Sequence, residues 1–192
     1  FQFSNLQLSY QLFGLELGTA PVVLVNHALT ANSNVVGKNG WWKEVIGKNK
    51  TIDTGKFTII AFNIPGNGYD GLLIDNYKDF IAKDIDNMFL LALKKLRICK
   101  LHAIIGGSLG GGIAWEMAVL NPDIALHIIP IAADWKSTDW LIANCFIQEQ
   151  FLLNSKHPVH DARMHAMMCY RTPVSYKEKF NRSIHEELKI FN

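Results

Sequence analysis

The chain has 192 residues, with 19 Lys+Arg against 17 Asp+Glu for a net charge of +2, and is 49% hydrophobic and 19% charged. That composition excludes a disordered segment, and the balanced charge excludes a protein that grips nucleic acid by bulk electrostatics. A chain this long buries roughly 70% of the surface its unfolded form exposes, enough for one core.

Cys99, Cys145 and Cys169 are odd in number, far apart and in no C-x-x-C pair. They argue against a disulfide scaffold or zinc ribbon and suit a cytoplasmic location. No apolar run approaches the roughly 20 residues of a membrane helix, so no membrane partner is expected. The first ten residues lack a basic segment and alternate like a strand, unlike a signal peptide. With no initiator Met, the N-terminus reads as trimmed, and the sequons at Asn49 and Asn181 read as chance matches.

Phe1 to Phe13 alternates apolar and polar residues with a turn near Asn5, which predicts an antiparallel edge hairpin. Four short apolar runs follow: Val22 to Val25, Phe57 to Phe62, Leu101 to Ile105 and Leu126 to Ile131. Each predicts a strand buried on both faces. Between the last three lie helical patterns. Tyr77 to Leu96 places Ile81, Ile85, Met88, Phe89, Ala92 and Leu96 on one stripe, with Lys78, Lys83 and Lys94 outward. Leu109 to Leu120 stops at Asn121-Pro122, since proline disfavours helical geometry in the residue before it. Strands alternating with helices predict a doubly wound, mostly parallel α/β sheet. Beyond Ile131 the pattern is helical, at Trp140 to Asn154, Val159 to Tyr170, Val174 to Phe180 and Ile184 to Ile190, with no further strand. The boundary falls near Ala133, giving a core over 1–133 and a helical lid over 134–192.

The sharpest motif is Gly106-Gly107-Ser108-Leu109-Gly110-Gly111, a G-x-S-x-G between a buried strand and a helix. A serine thrown out on such a strained turn needs glycine two positions to either side, where side chains would clash. The helix N-terminus beyond it favours negative charge. A glycine-rich turn can also serve close packing or cradle a phosphate. The dinucleotide pattern does not fit, because Ser108 stands where its second glycine belongs, and there is no G-K-[ST]. Ser108 is therefore the candidate nucleophile. The loop after the first buried strand, Asn26-His27-Ala28-Leu29-Thr30, occupies the place of an oxyanion loop. The backbone N–H groups of Leu29 and Leu109 are the candidate oxyanion donors. His27 reads as a loop histidine bonded to backbone rather than a catalytic base.

Taken together, His27-Ala28-Leu29-Thr30, Gly40-Trp41-Trp42 with Ile52-Asp53-Thr54, Asn63-Ile64-Pro65-Gly66-Asn67-Gly68-Tyr69, the serine motif and Ile129-Pro130-Ile131-Ala132 resemble the homoserine O-acetyltransferase family. The resemblance runs from about His27 to about Tyr170. It implies the α/β-hydrolase fold and a Ser108 acyl-enzyme that carries an acetyl or succinyl group from acyl-CoA to homoserine, in methionine biosynthesis. It further implies no bound cofactor and a homodimer through the lid. The family's lid arginine and tyrosine, which hold the amino-acid acceptor, match Arg163 and Tyr170; a guanidinium clamps a carboxylate well. A surface salt bridge for Arg163 and amphipathic packing for Tyr170 are the plainer readings. The family's aspartate and histidine come late and find no match here, so the sequence reads as an N-terminal portion with its C-terminal strands missing, and inactive by itself. A serine esterase is the alternative. Asp134 is a weak substitute acid. The spacing of His157, His160 and His165 argues against a metal site. Trp41, Trp42, Trp135 and Trp140 read as buried or half-buried packing.

Overall fold

The computed structural model describes residues 7–74 and 80–182, and the backbone alone of 184–185 and 190–191. In chain order the first strands are β1 (Tyr10–Gly14), β2 (Val22–Asn26), β3 (Ile46–Gly47), β4 (Ile52–Asp53) and β5 (Thr58–Phe62). Helix α1 (Ala82–Lys95), strand β6 (Leu101–Gly107), helix α2 (Leu109–Leu120) and strand β7 (Ala125–Ile131) follow. The main sheet has the order β1-β5-β2-β6-β7, parallel except for the antiparallel edge strand β1. The first arm of the expected hairpin falls on residues 1–6, outside the described residues.

Alternation along the strands divides the core between two faces. Leu24, Ile60, Phe62 and Ile104 point to one face, where Phe89 and Leu93 of α1 and Ile113 and Met117 of α2 cover them. Burying side chains such as Phe89 and Leu93 stabilises the fold by about 2 kcal/mol each. Val23, Val25, Ile59, Ala61, Ala103 and Ile105 point to the other face, covered by Val35, Ile46 and the Trp41–Trp42 pair. The short β3–β4 ladder, Ile46 opposite Ile52, belongs to this second cover.

Two expectations fail here. Strand β7 forms, but it lies at the sheet edge, and Leu126 is 60% exposed, so apolar composition alone does not bury it. Ile81 precedes α1 as an exposed cap residue whose N–H donates to Asp84 Oδ2 at 3.1 Å. The inward stripe instead includes Asp86, which is fully buried. Residues 75–79, where the predicted helix began and where Lys78 stands, lie outside the described residues.

The chain divides after Trp135 into two compact units. The second contains α3 (Asp139–Asn154), α4 (Pro158–Cys169) and α5 (Pro173–Phe180). Thr138 caps α3 by accepting from Leu141 N–H at 3.2 Å, and Thr172 caps α5 by accepting from Ser175 N–H at 3.2 Å. Pro158 and Pro173 occupy first-turn positions where the missing N–H costs nothing. Helices α3 and α4 meet through Phe151 against His165, with centroids 5.7 Å apart, and through Cys169 Sγ to Asn144 Oδ1 at 3.2 Å. The helix expected over Ile184 to Ile190 is not what the described residues of that range form. Two short strands, β8 (Ile184–His185) and β9 (Ile190–Phe191), pair antiparallel there.

Asp86 lies on the buried face of α1 with no hydrogen-bond partner for either oxygen among the described residues. Burial first, then the nearby Glu116 carboxylate, pushes its pKa up to about 8. The folded state keeps a proton that the unfolded state releases near 3.8, so stability is lost as pH rises between those values. Asp86→Asn removes this titration at constant size. It should stabilise the fold at pH 8 by about 2–4 kcal/mol, a gain that shrinks towards zero below pH 4. Denaturant unfolding at the two pH values measures it; an equal gain at both would show that Asp86 does not titrate.

Candidate active site

Ser108 stands between β6 and α2 with φ 53° and ψ −120°. A residue with a side chain in that region costs about 1–3 kcal/mol and persists only where its surroundings over-determine it. Three backbone bonds do so here. Ser108 N–H donates to Ile131 O at 2.9 Å, and Ser108 C=O accepts from Gly111 N–H at 2.9 Å and Gly112 N–H at 3.1 Å.

The glycines set the fit. A Cβ on Gly106 would lie 2.0 Å from Gly110 O, and one on Gly110 would lie 2.2 Å from Asn26 O and 2.6 Å from His27 O. One on Gly111 would meet Ala133 Cβ at 2.5 Å, whereas one on Gly112 meets nothing within 4 Å. The start of α2 is thus pressed onto the ends of β2 and β6, and the Ser108 side chain is left exposed at the C-terminal edge of the parallel strands.

The same approach brings the predicted oxyanion segments to neighbouring strands. Asn26 lies opposite Gly106, Leu29 follows three residues after Asn26, and Leu109 opens α2. As a first-turn residue, Leu109 has an N–H without an intrahelical acceptor. The Leu29 side chain is 72% exposed, so its place in the loop is fixed by backbone and not by packing.

His27 is fully buried. Its Nε2 accepts from Ile64 N–H at 2.9 Å, and its Nδ1 lies 2.7 Å from Ala28 O, which makes Nδ1 the protonated nitrogen. Burial holds its pKa below the ordinary value, against the opposing pull of the Ala28 carbonyl. Both ring nitrogens are committed to backbone, so His27 is a strut between two loops and not a base. Asn63 completes this frame: its Oδ1 accepts from Ser33 N–H at 2.8 Å and its Nδ2 donates to Ser9 Oγ at 2.7 Å. Asn67 Nδ2 donates to the same Asn63 Oδ1 at 3.2 Å. Sequence reasoning did not assign this network a role; its trace was the Asn63-Ile64-Pro65-Gly66-Asn67-Gly68 phrase directly after β5.

Trp42 walls the elbow, with its ring edge 3.8 Å from where a Gly107 Cβ would sit. Trp41 stacks on it at 4.5 Å and donates from Nε1 to Asn32 O at 2.8 Å. Trp135 and Trp140, expected to be at least half-buried, are 75% and 76% exposed. Asp134 is exposed, and its Oδ1 accepts from Trp135 N–H at 2.9 Å.

In the second unit, Arg163 lies on α4 and Tyr170 caps its C-terminal end. Both are exposed, Tyr170 by 85%, and Arg163 makes no salt bridge among the described residues. Neither the surface ion pair nor the packed tyrosine is therefore present there. His160 Nδ1 pairs with Asp161 Oδ1 at 3.0 Å, and His165 packs on Phe151. Among the described residues no three His, Cys, Asp or Glu side chains converge as a metal site.

Residues 21–151 match the family model described as alpha/beta hydrolase fold. The homoserine O-acetyltransferase of Desulfotalea psychrophila is 31% identical over 216 residues, covering 94% of this chain and 55% of that protein. The chain thus spans about half the length of the curated relatives it matches. Among solved structures, homoserine O-acetyltransferase from Staphylococcus aureus superposes with a TM-score of 0.76 at 28% identity, over 90% of this chain and 54% of that one. An acetylester hydrolase from Corynebacterium glutamicum, at 21% identity and a TM-score of 0.72 over 94% of this chain and 59% of that one, shares the fold.

The glycine contacts yield a paired test. Gly110→Ala drives a methyl into the Asn26 and His27 carbonyls and should destabilise by about 2 kcal/mol or more, because backbone cannot step aside cheaply. Gly112→Ala enters open space in a helix and should stabilise by about 0.5–1 kcal/mol. Thermal unfolding of the two variants reads both signs; similar values would mean that the helix approach does not depend on Gly110.

Proposed function

Because the chain belongs to the α/β-hydrolase fold family, we propose that Ser108 is the nucleophile of an acyltransferase that moves an acetyl or succinyl group from acyl-CoA to homoserine. The observation that carries this reading is the Ser108 backbone at φ 53° and ψ −120°, enforced by glycines that admit no side chain. The choice of acceptor rests on relatives named homoserine O-acetyltransferase.

Ser108 Oγ attacks the thioester carbonyl while its proton passes to a general base. His27 cannot be that base, since its nitrogens are occupied; in the family the chain resembles, a late histidine serves. The N–H groups of Leu29 and Leu109 donate to the developing oxyanion, typically the largest single contribution to catalysis. Collapse breaks the C–S bond, and the CoA thiolate leaves with a proton. The homoserine hydroxyl then attacks the acyl-serine, loses its proton to the base and releases Ser108. Two half-reactions through one covalent intermediate give ping-pong kinetics. Arg163 takes the acceptor carboxylate and Tyr170 helps to seat it, so residues 1–133 supply the nucleophile and 134–192 the acceptor lid. The enzyme works in the cytoplasm, in methionine biosynthesis, as a homodimer through the lid.

In a chain extended to carry the family's late aspartate and histidine, mass spectrometry after mixing with acetyl-CoA should show an acyl adduct on the protein and none on Ser108→Ala. Arg163→Ala should leave acylation nearly unchanged and cost about tenfold to a hundredfold in homoserine-dependent deacylation, the usual loss of a charge-assisted contact. An adduct on Ser108→Ala would remove Ser108 from the mechanism. Deacylation by water at the same rate with and without homoserine would make the protein an esterase.

A further inference from the structure

A cationic segment runs on from the loop whose Trp42 ring stands beside the elbow. Residues 38–56 hold Lys38, Lys43, Lys48, Lys50 and Lys56 against Glu44 and Asp53, a local charge of +3 that leaves −1 for the rest of the chain. All five lysines are exposed. Their segment is anchored beneath: Ile46 is buried, Ile52 pairs with it, and the Trp41–Trp42 stack packs on the same face of the sheet.

The cations are stitched into one surface. Lys43 Nζ donates to Lys38 O at 3.4 Å, and Lys50 Nζ donates to Lys43 O. Lys48 and Lys56 flank Asp53, whose Oδ1 accepts from Gly55 N–H at 2.8 Å and Asn49 N–H at 3.0 Å. Those backbone donors first, then the two lysines, hold the Asp53 carboxyl below the usual range. Asp53 is thus spent on closing its turn. Among the described residues no lysine of the segment makes a salt bridge. The five lysines outnumber the two acids of their segment, and the same segment carries Trp42, 3.8 Å from the Gly107 Cβ position beside Ser108.

We propose that this lysine surface binds the phosphate groups of the acyl donor's nucleotide handle. The inference rests on the CoA thioester reading above and adds where its polyanionic end is held. Lysine suits this role as a compact charge that meets phosphate from any direction. Binding at the remote end holds the donor equally in ground and transition states, so its loss raises KM for acyl-CoA and spares kcat. A neutral ester gains nothing from it.

Calorimetric binding of CoA, 3′-dephospho-CoA, pantetheine and ATP tests this on the whole chain. The Lys43→Glu/Lys50→Glu variant should weaken CoA about tenfold or more, leave pantetheine unchanged and flatten the salt dependence. Lys43→Arg/Lys50→Arg should keep CoA binding and, with matched unfolding curves, shows that charge is what matters. Lys94→Glu/Lys95→Glu makes the same charge change on α1, across the sheet, and should have little effect. The proposal is overturned if CoA does not bind, if CoA and pantetheine bind alike, if the α1 reversal weakens CoA equally, or if ATP binds as tightly as CoA and any nucleotide suffices. With the late aspartate and histidine in place, CoA binding through the lysines without an adduct on Ser108 would sink the transferase reading alone. Homoserine-dependent turnover with an unchanged acetyl-CoA KM in the Lys43/Lys50 reversal would sink this one alone.

Discussion

A backbone contact that only glycine permits governs the candidate site: α2 starts with Gly110 against the carbonyls of Asn26 and His27. That approach fixes the distance between the ends of β2 and β6. It leaves Ser108 no ordinary conformation and places the His27-to-Thr30 loop beside the helix that Leu109 opens. The strain at one serine is balanced by the packing of a whole strand–helix–strand unit, which is why a reactive conformation can stand in an otherwise ordinary fold.

Electrostatics here follow the same division between scaffold and surface. His27 and Asp86 are ionisable residues held neutral by burial, one satisfied by backbone and the other by nothing among the described residues. They are structural in charge state and costly in different degrees. The basic side chains of residues 38–56 and Arg163 are exposed. Charge is thus available at the surface while the floor of the site stays neutral, an arrangement that leaves a developing oxyanion to backbone donors.

How much was legible in the sequence depended on whether the cause was local. The elbow was readable because its glycine spacing, strand and helix lie within a few residues of Ser108. Strands β2, β5 and β6 were readable as continuous apolar runs, and α2 ran between its expected ends. The edge position of β7 was not, because exposure depends on which strands neighbour it. Asp86 was invisible because an acid on an amphipathic helix reads as outward. Ile81 was misread because the stripe reaches the helix cap, where exposure takes over. Ile184 to Ile190 is too short for a period of 3.6 to be told from the pattern of short strands, and the two-residue strands β3 and β4 carry no periodicity. The exposed Trp135 and Trp140 show that aromatic size does not dictate burial.

The bond from Ser108 N–H to Ile131 O also orients the outer strand. Because that carbonyl faces β6, the alternate peptide groups of β7, at Leu126, Ile128 and Pro130, turn away from the sheet. Pro130 sits level with Gly106 and has no N–H to offer. An incoming strand would find carbonyls but lack one donor at that level. The next strand to pair with β7 therefore docks through both the N–H groups and the carbonyls of Leu126 and Ile128, and at Pro130 through the carbonyl alone.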